Sequence, residues 1–244
     1  RNLPINKIKV GHSYERVMPG PNYVDSIINF YRVYSGINKA SEIEVKKFLK
    51  TIISTKKYPL TKLNNTNATE IAKVLENSYR AMNIAFIIEW TKFAELSKVN
   101  LYEVINAIKM RPTHNNMMFP GIGVGGYCLT KDPLLASWSY INHFKGNNDL
   151  KFSLEGVREN DLMPLNAFRF FLKKFKIKSL LNKKILILGI SYRGDVGDTR
   201  YSPVNKLYEF LKSKNSKIYL HDPFVSFWEE FKINTEKIDD ILKN

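Results

Sequence analysis

Lys184-Ile-Leu-Ile-Leu-Gly189 is the stretch that decides the fold. Four apolar residues follow one another without alternation and a glycine stops them. Such a run marks a strand buried on both faces of a parallel sheet. A polar loop, Gly194 to Ser202, comes next. Ser202-Pro203 then opens a helical pattern with proline at its first position. Lys217-Ile-Tyr-Leu-His221 is a second strand, stopped by Asp222-Pro223. Strand, crossover helix and strand make a βαβ start, so a doubly wound α/β domain is expected. Ligands of such sheets bind beyond the carboxyl ends of the strands, which makes the loop 189–203 a candidate anion site. The loop is not a Gly-x-Gly-x-x-Gly fingerprint and carries little dinucleotide signal.

Upstream, the periodicity changes to helical. Residues 67–98 form the longest element, with Asn67 and Glu70 as a capping-box-like start. Ile71, Leu75, Met82, Phe86, Phe93 and Leu96 recur at steps of three and four. At about 1.5 Å per residue this helix approaches 50 Å and suits a spine shared between domains or subunits. Lys73 and Asn77 are four apart within it and project from one face. An amine beside an amide can hold an oxyanion or sugar hydroxyls; an exposed lysine next to a packed asparagine fits equally. Residues 41–55 read as a further helix. Asn100 and Glu103 cap a shorter one ending near Ile108. Pro133 to about Phe144 reads as another, broken by Gly146-Asn-Asn-Asp149. A last helix, with Met163-Pro164 in or near a kink, runs to about Lys176. Before these, strands are expected near Ile8–Val10 and Tyr31–Ser35, with Gly11 to Gly20 as a turn-rich loop between them. A strand or connector containing Pro59 runs up to Leu63.

Between the helices stands Phe119-Pro-Gly-Ile-Gly-Val-Gly-Gly-Tyr-Cys-Leu-Thr-Lys-Asp-Pro133, which holds the single cysteine, Cys128. Glycines let main-chain N–H groups approach a ligand closely. A thiol at a helix entrance is a sensible nucleophile. The same residues also fit a turn before a helix, with Asp132 as N-cap, Pro133 following and an inert cysteine.

The totals set bounds. The 244 residues suit one large domain or two small ones, and a 44% hydrophobic content is ample for a core. One cysteine excludes an internal disulfide and fits a reducing compartment. No apolar run reaches bilayer length and no signal peptide stands at the start. The chain opens on Arg1 and reads as a piece of a longer protein. Its net charge of +15 invites anionic partners. The lysines are scattered, however, and no nucleic-acid motif accompanies them, so a solvated lysine surface is the better reading. His12, His114, His143 and His221 are too dispersed for a metal site.

Four motifs, in order, resemble the UDP-glucose/GDP-mannose dehydrogenase family. Gly123-Val-Gly-Gly-Tyr-Cys-Leu-Thr-Lys-Asp132 looks like its nucleophile loop. Glu70-Ile-Ala-Lys-Val-Leu-Glu-Asn77 looks like its central-helix motif. Gly189-Ile-Ser-Tyr-Arg-Gly-Asp-Val-Gly-Asp-Thr-Arg-Tyr-Ser-Pro203 looks like its C-terminal nucleotide-binding loop. Ser13-Tyr-Glu-Arg-Val-Met-Pro-Gly20 looks like the loop closing its first domain. The resemblance covers essentially the whole chain. It implies three regions: 1–37, the tail of an absent N-terminal NAD-binding domain; 38–178, an all-helical central dimerisation domain with the cysteine loop; and 179–244, a truncated Rossmann-like UDP-sugar-binding domain. It further implies oxidation of a UDP-sugar C6 alcohol to the uronate, with two hydrides passing to NAD⁺ through a cysteine thiohemiacetal and thioester. Cys128 would be the nucleophile. Lys73 and Asn77 would stabilise oxyanions, and Asp132 with Glu15 would position or activate water. Lys131 and Arg200 would touch NAD. Gly125 and the backbone of Met117, Met118, Phe119, Pro120 and Gly121 would line the sugar-nucleotide site. Arg193 stands where the family has lysine and would contact the UDP-sugar with altered donor geometry.

On substrate, Glu15-Arg-Val-Met-Pro-Gly20 resembles members that oxidise UDP-N-acetylhexosamines, whereas Tyr127 and Lys131 resemble UDP-glucose members. The reading favours an N-acetylhexosamine. The resemblance also implies a cytoplasmic homodimer built on the long helix, in polysaccharide precursor synthesis, without nucleic acid, membrane or metal. A basic, dimeric, non-catalytic nucleotide- or nucleic-acid-binding module is the alternative.

Overall fold

The computed structural model describes residues 8–243, so the first seven residues of the expected N-terminal stretch lie outside it. The described residues form two compact units, one ending at Glu76 and one starting at Asn77.

The first unit is a small three-stranded sheet with helices. Strand β1 (Gly11–His12) pairs antiparallel with β2 (Val33–Gly36), and β2 pairs parallel with β3 (Thr61–Lys62). Helix α1 (Tyr23–Ile28) lies between β1 and β2, and α2 (Lys39–Ile52) follows β2. The first strand falls just after the Ile8–Val10 expected from the apolar residues. The main chain of Val10 is spent elsewhere: its N–H donates to Ser41 Oγ and its carbonyl accepts from the Ile37 N–H, both near the start of α2. Asn38 caps α2 by accepting from the Ser41 N–H at 2.8 Å. A buried hydroxyl network ties the sheet to the next helix. Thr69 Oγ1 meets His12 Nδ1 at 2.7 Å and Ser35 Oγ at 2.9 Å, and donates to the Thr66 carbonyl at 2.8 Å.

Helix α3 (Thr66–Ser97) runs from the first unit into the second; its 32 residues span about 48 Å. Its cap is Asn65, whose Oδ1 accepts from the Ala68 N–H at 2.8 Å, rather than Asn67. Asn65 lies outside the helix, where its side chain can turn back onto the third helical N–H.

In the second unit, α4 (Leu101–Lys109) starts at Asn100, whose side chain bonds both the Tyr102 N–H and Glu103, as its sequence predicts. A 3₁₀ turn at Pro112–His114 leads to the glycine stretch. Helix α5 (Tyr127–Asn142) begins six residues before the expected Pro133. Gly126, at φ +76°, turns the chain so that Tyr127 already enters the helix. Asp132 and Pro133 are therefore buried inside α5 and not at its cap. Helix α6 (Lys151–Lys174) contains Pro164 and packs on α3 through Gly156. A Cβ there would stand 3.1 Å from Met82 Cα. Asn160 adds a hydrogen bond to the Ala81 carbonyl.

The C-terminal part carries the expected βαβ unit. Strand β4 (Lys184–Leu188) pairs parallel with β5 (Lys217–His221) along five residues, through helix α7 (Val204–Ser213). Pro203 occupies the cap of α7, one place before the position expected for it. Strands β6 (Phe227–Trp228) and β7 (Ile233–Asn234) form an antiparallel pair, and α8 (Ile238–Ile241) follows. Ile187, Ile190, Leu211, Leu220 and Trp228 anchor the core beneath this sheet. Among the described residues β4 pairs only with β5, and an apolar cavity of about 860 Å³ opens beside it, lined by Phe168, Leu172, Ile177 and Ile185.

Candidate active site

Cys128 is exposed in the first turn of α5. One turn later on the same helix stands Asp132, only 3% exposed. Residues four apart share a helical face, so thiol and carboxylate project from one side. Asn77 on α3 donates to Asp132 Oδ2 at 2.5 Å, and Lys131 pairs with Oδ1. Both carboxylate oxygens thus have a donor, which a buried charge requires. The Lys131 side chain remains 56% exposed, leaving its ammonium open to an anion as well.

The glycines before Cys128 serve contact with the loop after β4. A Cβ on Gly125 would collide with Tyr192 Cβ and stand 2.7 Å from the Tyr201 carbonyl oxygen. A Cβ on Gly126 would stand 3.0 Å from the Tyr192 ring. The Gly126 N–H donates to the Arg200 carbonyl at 3.2 Å, and Tyr127 meets the Tyr201 ring edge-on at 4.9 Å. Close main-chain approach thus brings the cysteine stretch and loop 189–203 together.

Within that loop Arg200 forms a two-pronged pair with Asp198, Nε to Oδ1 at 2.9 Å and a terminal nitrogen to Oδ2 at 2.8 Å. The pairing holds the Asp198 carboxyl below its ordinary range and the guanidinium above its own. Arg200 also lies 4.9 Å from the Tyr127 ring centre. Burial, then the nearby Asp198 charge, pushes the Tyr192 hydroxyl up, so it stays protonated at neutral pH. Arg193 is exposed and makes no hydrogen bond or ion pair among the described residues.

The head of the loop differs from the expected open anion site, because the protein fills it. Asp222 Oδ2 accepts from the N–H groups of Ile190 at 2.8 Å and Ser191 at 3.0 Å, and from the Ser191 hydroxyl. Burial works against this charge, but those donors and the Phe224 N–H outweigh it and lower the Asp222 pKa.

Met117 to Gly121 form a partly exposed strip held from behind. Lys109 donates to the Met117 carbonyl at 3.1 Å and Tyr102 to the Pro120 carbonyl at 3.2 Å, with Phe119 stacked on Tyr102. A cavity of about 380 Å³ is bordered by Thr130, Lys131, Tyr201, Asn205 and Lys206. In the other unit, Lys73 donates to the Glu15 carbonyl at 3.2 Å, and the exposed Glu15 carboxylate has no bonded partner among the described residues. Lys73 and Asn77 stand one turn apart on α3.

Among the described residues no group of three or more His, Cys, Asp or Glu could hold a metal, and no helix is long and apolar enough to cross a membrane.

Two domain descriptions of one family match this chain: the central domain of the UDP-glucose/GDP-mannose dehydrogenase family over residues 67–147, and its UDP binding domain over residues 186–243. Together they take in more than half of the sequence. The chain belongs to the UDP-glucose/GDP-mannose dehydrogenase family.

Relatives and solved structures of the family agree. The UDP-N-acetyl-D-mannosamine dehydrogenase of Methanococcus vannielii is 30% identical over 238 residues, covering 98% of this chain and 52% of its own. The structure of a UDP-D-ManNAc dehydrogenase from Pyrococcus horikoshii superposes with a TM-score of 0.78 at 28% identity, over 95% of this chain and 51% of its own. An NDP-N-acetyl-D-galactosaminuronic acid dehydrogenase from Methanosarcina mazei Go1 shares the fold, with a TM-score of 0.82 at 22% identity, over 95% of this chain and 50% of its own. The chain spans about half the length of the curated relatives it matches.

Several residues that organise this family member's loops were not singled out by sequence. Asp222 read only as a strand stop. Its place beyond β5, beside the end of β4 in a parallel pair, is the signal that could have found it. Tyr192 acts through contacts with the distant Gly125 and Gly126, which no local pattern shows, and Asp198 through its pair with Arg200.

Proposed function

We propose that this chain is the central and UDP-binding part of an NAD-dependent UDP-sugar 6-dehydrogenase acting on a UDP-N-acetylhexosamine. The observation that carries the proposal is Cys128, exposed one turn before a buried Asp132 whose carboxylate is held by Asn77 and Lys131. An exposed thiol beside a fixed carboxylate is what covalent aldehyde oxidation followed by hydrolysis needs. The N-acetylated substrates in the relatives' names support the sugar class.

In the proposed sequence the C6 alcohol loses a hydride and a proton to give the aldehyde. The Cys128 sulfur adds to the carbonyl carbon. The hemithioacetal loses a second hydride to become a thioester, and water displaces the thiol. The alcohol, two NAD⁺ and one water become the uronate, two NADH and three protons. NAD, when bound, supplies the hydride acceptor. Lys131 and Arg200 fit its phosphates, since each presents a side chain more than half exposed, 56% and 59%. Lys73 and Asn77 would steady the oxygen that gains charge, and Asp132 with Glu15 would orient the hydrolytic water. Arg193, exposed and without a hydrogen bond or ion pair among the described residues, suits the UDP diphosphate, and Gly125 with residues 117–121 suits the sugar-nucleotide.

We assign residues 1–37 to the end of a preceding NAD-binding domain, 38–178 to the central domain and 179–244 to the UDP-sugar domain. The protein would work as a cytoplasmic homodimer supplying polysaccharide precursors. The exposed aromatic ridge Phe86, Trp90 and Phe93 on α3, continued by Leu96, supports self-association.

Alkylation of Cys128 tests the reading. Labelling at neutral pH should be fast and should slow when a UDP-N-acetylhexosamine is present. Slow labelling, indifferent to UDP-sugars, would favour a nucleotide-binding module without chemistry.

A further inference from the structure

Residues 13–16 are pinned at every position. Ser13 Oγ donates to the Val33 carbonyl at 2.7 Å. The buried Arg32 donates to the Tyr14 carbonyl at 2.8 Å, and Lys73 to the Glu15 carbonyl. Arg16 does the most. Its Nε reaches Glu76 Oε2 at 3.0 Å. One terminal nitrogen reaches that same oxygen at 2.9 Å and the Tyr14 hydroxyl at 2.7 Å. The other reaches the Tyr31 carbonyl at 3.0 Å. Tyr14 closes the triangle by donating to Glu76 at 3.0 Å. The guanidinium also lies over the rings of Tyr14 and Phe30.

Two consequences follow. Arg16 is turned back onto the protein and its donors are committed to protein acceptors. Glu15, between these pinned neighbours, keeps an exposed carboxylate that makes no hydrogen bond or ion pair among the described residues. Glu76 sits on α3 three residues after Lys73 and one before Asn77, so the triangle ties the Glu15 main chain to the helix that bears both.

We propose that Arg16, anchored by Glu76, is a positioning residue that fixes the Glu15 carboxylate for the reaction, and does not read the substrate's N-acetyl group. The proposal rests on the dehydrogenase reading above. A side chain held by several charge-assisted bonds keeps its neighbour in reactive geometry, and displacement by about 1 Å costs on the order of 100-fold in rate.

The test compares Arg16→Gln, Arg16→Lys and Glu76→Gln in the intact dehydrogenase, with a UDP-N-acetylhexosamine and with UDP-glucose, which lacks the N-acetyl group, as the comparison sugar. Arg16→Gln should lower kcat about 10- to 100-fold for both sugars, with KM changed less than about threefold. Glu76→Gln should reproduce the loss, the double variant should be no worse than either single one, and Arg16→Lys should recover part of the rate. A rise in KM confined to the N-acetylated sugar, or an unchanged kcat in Glu76→Gln, overturns the proposal.

If the wild type oxidises no UDP-sugar, the dehydrogenase reading itself has failed. Hydrogen exchange on this chain then still decides the clamp. The amides of residues 14–16 should exchange faster in Arg16→Gln with those of α2 unchanged, and unaltered exchange at 14–16 refutes it.

Discussion

Replacing Gly125 with alanine puts one methyl group where the cysteine stretch and the loop after β4 meet. The new Cβ would collide with Tyr192 Cβ, lie 2.7 Å from the Tyr201 carbonyl oxygen and 2.9 Å from Pro203 Cδ. None of these is the yielding end of a long side chain: one is main chain, one a Cβ, one a proline ring. Relief therefore requires the two segments to move apart, and the cost falls in the upper part of the range for overpacking, about 2–3 kcal/mol. For a unit of this size that lowers the melting temperature by about 4–12 °C. Gly121→Ala is the control, because its Cβ would meet nothing within 4 Å; its change should stay within about 0.5 kcal/mol. Scanning calorimetry of both variants gives the stability, and Cys128 alkylation shows whether the thiol's surroundings have shifted. If Gly125→Ala melts together with Gly121→Ala, the close approach described here is wrong.

Asp222→Asn should destabilise the C-terminal sheet by about 1–3 kcal/mol at neutral pH, since three main-chain N–H groups lose their charged acceptor. The folded-state pKa of Asp222 lies below its unfolded value. Its stabilisation is therefore complete above about pH 4 and lost as pH falls through the folded value. Urea titrations between acid and neutral pH should show a shallower acid loss in the variant, and identical slopes would refute the assignment. Asn77→Ala should cost about 1.5–3 kcal/mol in urea unfolding, because it strips a donor from the buried Asp132 carboxylate. A loss below that of a typical surface substitution would mean the bond carries no stability. Phe93, 62% exposed, should become a monomerising site: Phe93→Glu should convert a sedimenting dimer into a monomer without lowering its melting temperature. A wild type that sediments as a monomer at high concentration would refute the helix interface.

Much of this was legible in the sequence because it is local. The continuous apolar run 185–188, the three- and four-residue spacing along α3 and the Asn100–Glu103 cap are each decided within a few residues. The start of α5 was missed for an equally physical reason. Proline is favoured at a helix's first turn, so Pro133 drew the boundary to itself; the true entrance is set by Gly126 at positive φ. The partners of the site residues were out of reach. Cys128 and Asp132 are four residues apart in sequence, but Asn77 reaches Asp132 from 55 residues away. Likewise Arg16 meets Glu76 from 60 residues away, and a motif that names Glu15 gives no sign of it.

The hydroxyl network around Thr69 fixes where a proton sits. The Thr69 hydroxyl has one hydrogen, and the Thr66 carbonyl, which can only accept, takes it. Thr69 must then accept from both other neighbours, Ser35 and His12. The neutral imidazole of His12 is thereby assigned as the Nδ1–H tautomer, with Nε2 as its basic nitrogen. The tie between the small sheet and the long helix thus selects one His12 tautomer, and the lone pair of Nε2 points away from the network.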